Sequence, residues 1–213
     1  MTLRPILRFA VVPLVALLLL VGGGLGFQTY LRATDNLHPI VAGQAYRSGQ
    51  LDAPRLDRTI RTLGLRSVIN LRGAEPDQPW YQAERAVTDR LGVRLIDFRM
   101  SDAQELEPQQ MQALIALMRA APKPLLIHCR AGADRTGLAA ALYKLAISGA
   151  PPGVASQQLS IRYGHVGLPV LSRAWPMDDS LEDYLDLGPA AIRPRQAGIL
   201  FLPAVPAVAV TRP

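Results

Sequence analysis

The chain opens on a long uncharged run, Phe9 to Phe27, preceded by Arg4 and Arg8. Crossing a bilayer takes a helix of about 20 apolar residues, and this run predicts one. Beyond it the apolar positions come in shorter units. Ser67 to Arg72 and Leu125 to His128 read as buried strands, and Val93 to Met100 alternates as a third. Apolar residues recur every three or four positions over 54–64, 79–91, 109–120, 137–148 and 152–163, which predicts helices. Strands alternating with helices imply an α/β sandwich, a mostly parallel central sheet flanked by helices. After Gly188 the chain is rich in proline and alanine. Its apolar stretch 198–210 is interrupted by Pro203 and Pro206, too short and broken to span a membrane.

This pattern divides the chain into a cytoplasmic N-terminus (1–8), a transmembrane anchor (9–27), a linker (28–40), a folded domain (41–187) and a tail (188–213). With 213 residues, 49% of them hydrophobic and 19% charged, the chain has material for one substantial core. No Ala-x-Ala site follows the apolar run, so an uncleaved anchor is the expectation. Arg4 and Arg8 before the run outweigh Arg32, partly offset by Asp35, after it. The positive-inside tendency then leaves the domain on the outer side. In a bacterium this is a single-pass protein of the inner membrane, its domain facing the periplasm or exterior. A net charge of +6 favours contact with anionic headgroups. No basic run interleaved with aromatics points to nucleic acid. Three histidines and one cysteine form no metal-ligand pattern, and no cofactor is expected.

The single cysteine, Cys129, leaves the predicted strand Leu125–His128 and opens the run His128-Cys129-Arg130-Ala131-Gly132-Ala133-Asp134-Arg135-Thr136-Gly137. Only a thiolate attacks. The following helix N-terminus, the Arg135 cation and amides turned inward by a tight loop all favour that form. Gly132 supplies the backbone freedom such a turn needs. The amides of residues 130–135 would cradle phosphate oxygens, and the Arg135 guanidinium would grip two of them. Thr136 places a hydroxyl beside the sulfur. His128 reads as a buried hydrogen-bonding residue that orients the loop.

His-Cys, five residues, then Arg-Thr-Gly resembles the signature loop of the cysteine-dependent protein tyrosine phosphatases, and its details resemble the dual-specificity branch. The resemblance continues through Tyr46-Arg47-Ser48-Gly49-Gln50, Leu63 to Arg72 and Leu91-Gly92-Val93, covering roughly residues 40–165. It implies a dual-specificity-phosphatase-like three-layer sandwich and a phosphatase domain over 41–187. It further implies Cys129 as nucleophile, Arg135 as phosphate ligand and Thr136 as leaving-group assistant. Residues Arg130, Ala131, Gly132, Ala133, Asp134 and Arg135 would bind the substrate phosphate.

Cleaving a phosphomonoester also needs a proton donor. The loop Ser101–Glu107 offers Asp102, directly after the third strand, where the family places its acid; Glu105 is the second choice. Asp134 is expected either to pin the loop or to face solvent. Arg72 and the segment Tyr163-Gly164-His165 are weaker candidates for the site's surroundings, and Trp80 and Tyr81 read as packing residues. Phosphotyrosine, phosphoserine and phosphothreonine on proteins lead the substrate classes, with phospholipid headgroups as the alternative. The intact loop disfavours a non-catalytic phosphate-binding module, and Thr136 with the upstream Asp102 loop disfavours a sulfur-transfer or arsenate-reducing enzyme.

Overall fold

The computed structural model describes residues 4–169 and 171–191. Helix α1 (Arg4–Ala33) contains the predicted anchor and extends past both its ends. Its segment Val12–Ala33 is long and apolar enough to cross a membrane by length and composition, and its most apolar 18-residue window is not buried within the fold. Of the residues expected as a linker, 28–33 continue α1 and the rest lead into the sheet. Leu31, Asn36 and Ile40 are buried, and His38–Val41 forms strand β1. Short, polar-flanked strands such as β1 and β2 (Ala45–Ser48) carry too few apolar positions to register in the hydropathy pattern.

The remaining strands are β3 (Ser67–Asn70), β4 (Arg94–Asp97) and β5 (Leu125–His128). The sheet runs β1-β2-β5-β3-β4, with only the β1–β2 pair antiparallel. Alternate residues of β5 feed two cores. Leu125 and Ile127 face α4 (Pro108–Ala120), α5 (Asp134–Ala146) and α7 (Pro176–Ala191), whereas Leu126 faces α2 (Ala53–Leu63) and α3 (Pro79–Leu91). The three-layer sandwich follows from that alternation.

Two helices depart from the pattern. The stretch 152–163 is α6 (Pro152–Ala155) followed by two 3-10 turns, Ser156–Gln158 and Ile161–Tyr163. Helix α5 begins at Asp134, which places Asp134, Arg135 and Thr136 in its first turn rather than in a preceding loop. It is buried nearly all round, from Thr136 to Tyr143, so its amphipathic signal is weak. Helix α7, unpredicted, closes the core with Met177, Leu181 and Tyr184, and its backbone leaves helical angles at Gly188.

Candidate active site

Cys129 follows β5, at the carboxyl end of the central strands, where open α/β sheets place their ligands. It is buried, and the Gly132 N–H donates to its Sγ at 3.3 Å. The loop's carbonyls are each taken from outside. The Arg130 carbonyl accepts from the Gln50 N–H at 3.1 Å, and the Ala131 carbonyl from Asn36 Nδ2 at 3.1 Å. Arg47 Nη2 donates to the Gly132 carbonyl at 2.8 Å and to Ala133 at 3.3 Å. In a trans peptide the N–H points opposite its carbonyl. Holding the carbonyls out therefore turns the loop amides towards the space in front of the sulfur.

The close packing behind the loop has a sequence cause. Gly132 has φ +73°, and a Cβ there would come within 2.6 Å of Gly49 N and Ser48 C. Gly49 in turn lies against the Arg130 and Ala131 backbone. Arg47 is fully buried, its guanidinium 3.9 Å from the Tyr163 ring centre and its Nη1 donating to Gln158 O at 2.7 Å. Burial lowers its pKa to about 10, which leaves it cationic at neutral pH.

His128 is buried, with Nε2 2.6 Å from Glu84 Oε1 on α3. Glu84 Oε2 accepts from Gln50 Nε2 at 3.4 Å, and Gln50 Oε1 accepts from Arg72 Nη1 at 3.1 Å. Arg72 stacks on Trp80 at 3.5 Å. Burial lowers the Arg72 pKa, opposed by Glu75 and reinforced by the nearby Arg135 and Arg130 cations. Arg72 thus belongs to the cationic rim, and Trp80 serves it as a platform. Tyr81 packs below and donates to Asp97.

Asp134 is pinned: its Oδ1 lies 2.8 Å from His165 Nδ1, and His165 Nε2 lies 2.9 Å from Asp178 Oδ2 on α7. Burial pulls the His165 pKa down, but the two carboxylates outweigh it and the net shift is upward. Arg135 Nη1 donates to the Met100 carbonyl at 3.4 Å, at the base of the loop that carries Asp102. That loop is anchored at buried Met100 and Leu106, with Asp102 and Glu105 both exposed between them. Asp102 Oδ1 lies 3.5 Å from Arg173 Nη2 and shares a cavity with Asp134. Thr136 is buried and its Oγ1 has no hydrogen-bond partner, so the expected bond to sulfur is not formed here.

Residues 23–154 match the tyrosine phosphatase family. The chain belongs to that family. This phosphatase shares its mixed α/β fold with solved phosphatases. TpbA of P. aeruginosa superposes with TM-score 0.57 at 19% identity, over 71% of this chain and 86% of that one. The core catalytic domain of the PP-IP phosphatase SIW14 from S. cerevisiae superposes with TM-score 0.53 at 20% identity, over 71% and 88%. No curated protein sequence matches.

The structure brings Cys129, Arg130 to Thr136, Arg72 and His165 around one loop, and leaves Asp102 on its rim. Sequence reading passed over Asn36, Arg47, Glu84 and Gln158. Glu84 had a signal: it interrupts the buried stripe Tyr81, Val87, Thr88 of α3, where an acid requires a partner. Arg47 lay within the quoted Tyr46–Gln50 stretch, but its part in the loop needed coordinates.

Proposed function

We propose that this phosphatase hydrolyses phosphomonoesters through a phosphocysteine intermediate. One observation carries the reading: the carbonyls of residues 130–133 are all held by donors from outside the loop, which turns the loop amides towards the space beside Cys129, where Gly132 N–H already donates to Sγ. In the proposed reaction Cys129 Sγ attacks phosphorus in line with the leaving oxygen. The amides and Arg135 stabilise the equatorial oxygens, with Arg135 swinging from the Met100 carbonyl onto the phosphate. Asp102 protonates the leaving oxygen and then, as a base, deprotonates the water that cleaves the P–S bond.

Thr136 supports the second step. A buried hydroxyl without a partner costs about 1–3 kcal/mol, a cost relieved when it donates to the departing thiolate. Burial of Arg47 behind the loop keeps the amide cradle formed before substrate arrives, so little reorganisation is needed in the reaction.

Phosphotyrosine, phosphoserine and phosphothreonine side chains fit this chemistry, and TpbA has been crystallised with phosphotyrosine. A phospholipid headgroup is the second reading. The end of α1 favours it, because Gln28, Leu31 and Arg32 form a wall of the cavity beside the catalytic loop. In this reading α1 anchors the chain in the bacterial inner membrane. The arginines before its apolar run keep the N-terminus inside and the domain outside.

The test is hydrolysis of an aryl phosphate by wild type and by Cys129→Ser, with acid quenching to trap a phosphoenzyme. Turnover and a trapped phosphocysteine in wild type, both absent from C129S, are expected. Full activity in C129S would refute the mechanism.

A further inference from the structure

Four of the exposed apolar side chains outside α1 fall in one segment, 161–171. Ile161, Val166, Leu168 and Leu171 all face outward, Leu171 with 85% of its surface exposed. Their segment adjoins the end of α1. Val166 and Gln28 line one cavity, and a Cβ on Gly164 would meet Leu31 at 2.8 Å. Such a patch marks a contact surface, and an exposed Tyr30 beside it is the residue type enriched at the membrane–water interface.

The end of α1 is also fixed to the catalytic loop. Asn36 donates to both the Ala131 and Tyr163 carbonyls, and the Asp35 carbonyl accepts from the Gly49 N–H at 2.8 Å. The site therefore cannot stand far from the point where α1 leaves the bilayer. The apolar run ends at Phe27. At 1.5 Å per residue, Gln28 to Arg32 spans about 6 Å. One headgroup layer is about 5–7 Å thick, half the difference between the whole bilayer and its hydrocarbon core.

Beside that stretch lies a cavity of about 620 Å³ bounded by Gln28, Leu31 and Arg32 on one side and Arg130 and Ala131 on the other. Arg55, also at its edge, is committed to Asp35. Arg32 and Arg130 are exposed and join no ion pair among the described residues. Two cations at headgroup depth beside the catalytic loop suit a second anionic group on the same substrate molecule.

We propose that the substrate is a membrane lipid bearing a terminal phosphomonoester and an inner phosphodiester, with Arg32 and Arg130 holding the diester. This rests on the phosphatase reading. Cys129 displaces the terminal lipid oxygen, which Asp102 protonates to give a lipid alcohol; water then cleaves the P–S bond to release inorganic phosphate, and the diester is left intact.

The test uses the full chain reconstituted in phosphatidylcholine vesicles. The vesicles contain either phosphatidylglycerophosphate, which has both groups, or phosphatidic acid, which has the monoester alone. A phosphotyrosine peptide and an aryl phosphate are assayed in solution. Phosphatidylglycerophosphate is expected to exceed phosphatidic acid in kcat/KM by about tenfold, the factor given by about 1.4 kcal/mol from the added charge-assisted contacts. Arg32→Gln should lower the ratio of phosphatidylglycerophosphate to aryl phosphate turnover by about the same factor. Equal turnover of the two lipids, or a preference for the peptide with both lipids untouched, would overturn the proposal while aryl phosphate hydrolysis leaves the phosphatase reading standing. Loss of aryl phosphate hydrolysis itself would remove both.

Discussion

Arg47 Nη2 donates to the Gly132 carbonyl at 2.8 Å from a position with no solvent exposure, and so holds the Cys129 loop from behind. A buried guanidinium is costly unless its donors are used, and here they serve Gly132, Ala133 and Gln158. Arg47→Lys keeps the charge but loses the planar fork. We expect kcat/KM on an aryl phosphate to fall about 10- to 100-fold, with weakened inhibition by inorganic phosphate, as a misplaced cradle requires. Unchanged phosphate inhibition would separate Arg47 from the loop.

Gly132 faces two constraints at once, φ +73° and a backbone 2.6 Å from any added Cβ. Gly132→Ala should therefore remove nearly all turnover, while a folded far-ultraviolet circular dichroism spectrum persists. Wild-type activity in this variant would show that the loop has another arrangement in solution.

The contact of His128 with Glu84 is buried at both ends. Glu84→Ala removes the carboxylate beside the buried His128 imidazole and the acceptor of the Gln50 amide, a loss of about 1.5–3 kcal/mol for the charged partner of buried polar groups. In a domain of this size that lowers Tm by roughly 3–12 °C. Glu84→Gln, which retains an acceptor, should lose less in the same thermal melt.

His165 between Asp134 and Asp178 gives stability a pH dependence of definite sign. Its folded pKa lies above the ordinary value of 6.5, so its stabilisation is complete below that pH and is lost as pH rises through the folded pKa. His165→Gln should remove this component. The gap in Tm between wild type and variant is expected to shrink from pH 6 towards alkaline pH; a gap that widens would reverse the assignment.

Asp102 and Glu105 share one exposed loop, and leaving-group dependence tells them apart. Asp102→Asn should cost about 10²- to 10⁴-fold on an alkyl phosphate and much less on an activated aryl phosphate, which departs without a proton. Glu105→Gln should show no such slope. The opposite pattern would move the acid to Glu105.

How far the sequence reaches can be seen in α3 and α5. Helix α3 has one buried face, and its limits, Pro79–Leu91, are those the periodicity implies. Helix α5 is surrounded by core, so periodicity misplaced its start by a turn and put Asp134 to Thr136 in a loop. The segment 152–163 failed for a different reason: its apolar spacing is helical, but the chain packs there as short turns around Tyr163 and Gln158.

The sequence by itself determined the strand–helix alternation, the apolar N-terminal helix and the spacing of Cys129 from Arg135, because periodicity and short motifs are local properties of the chain. Only the tertiary structure decided what surrounds the loop. Asn36, Arg47 and Gln50 reach it from up to 95 residues away, and no local signal encodes which distant donor meets which carbonyl. The same holds for α1: its hydropathy shows a helix long and apolar enough to cross a membrane, but its placement against the Cys129 loop is set by the burial of Leu31 and the hydrogen bonds of Asn36.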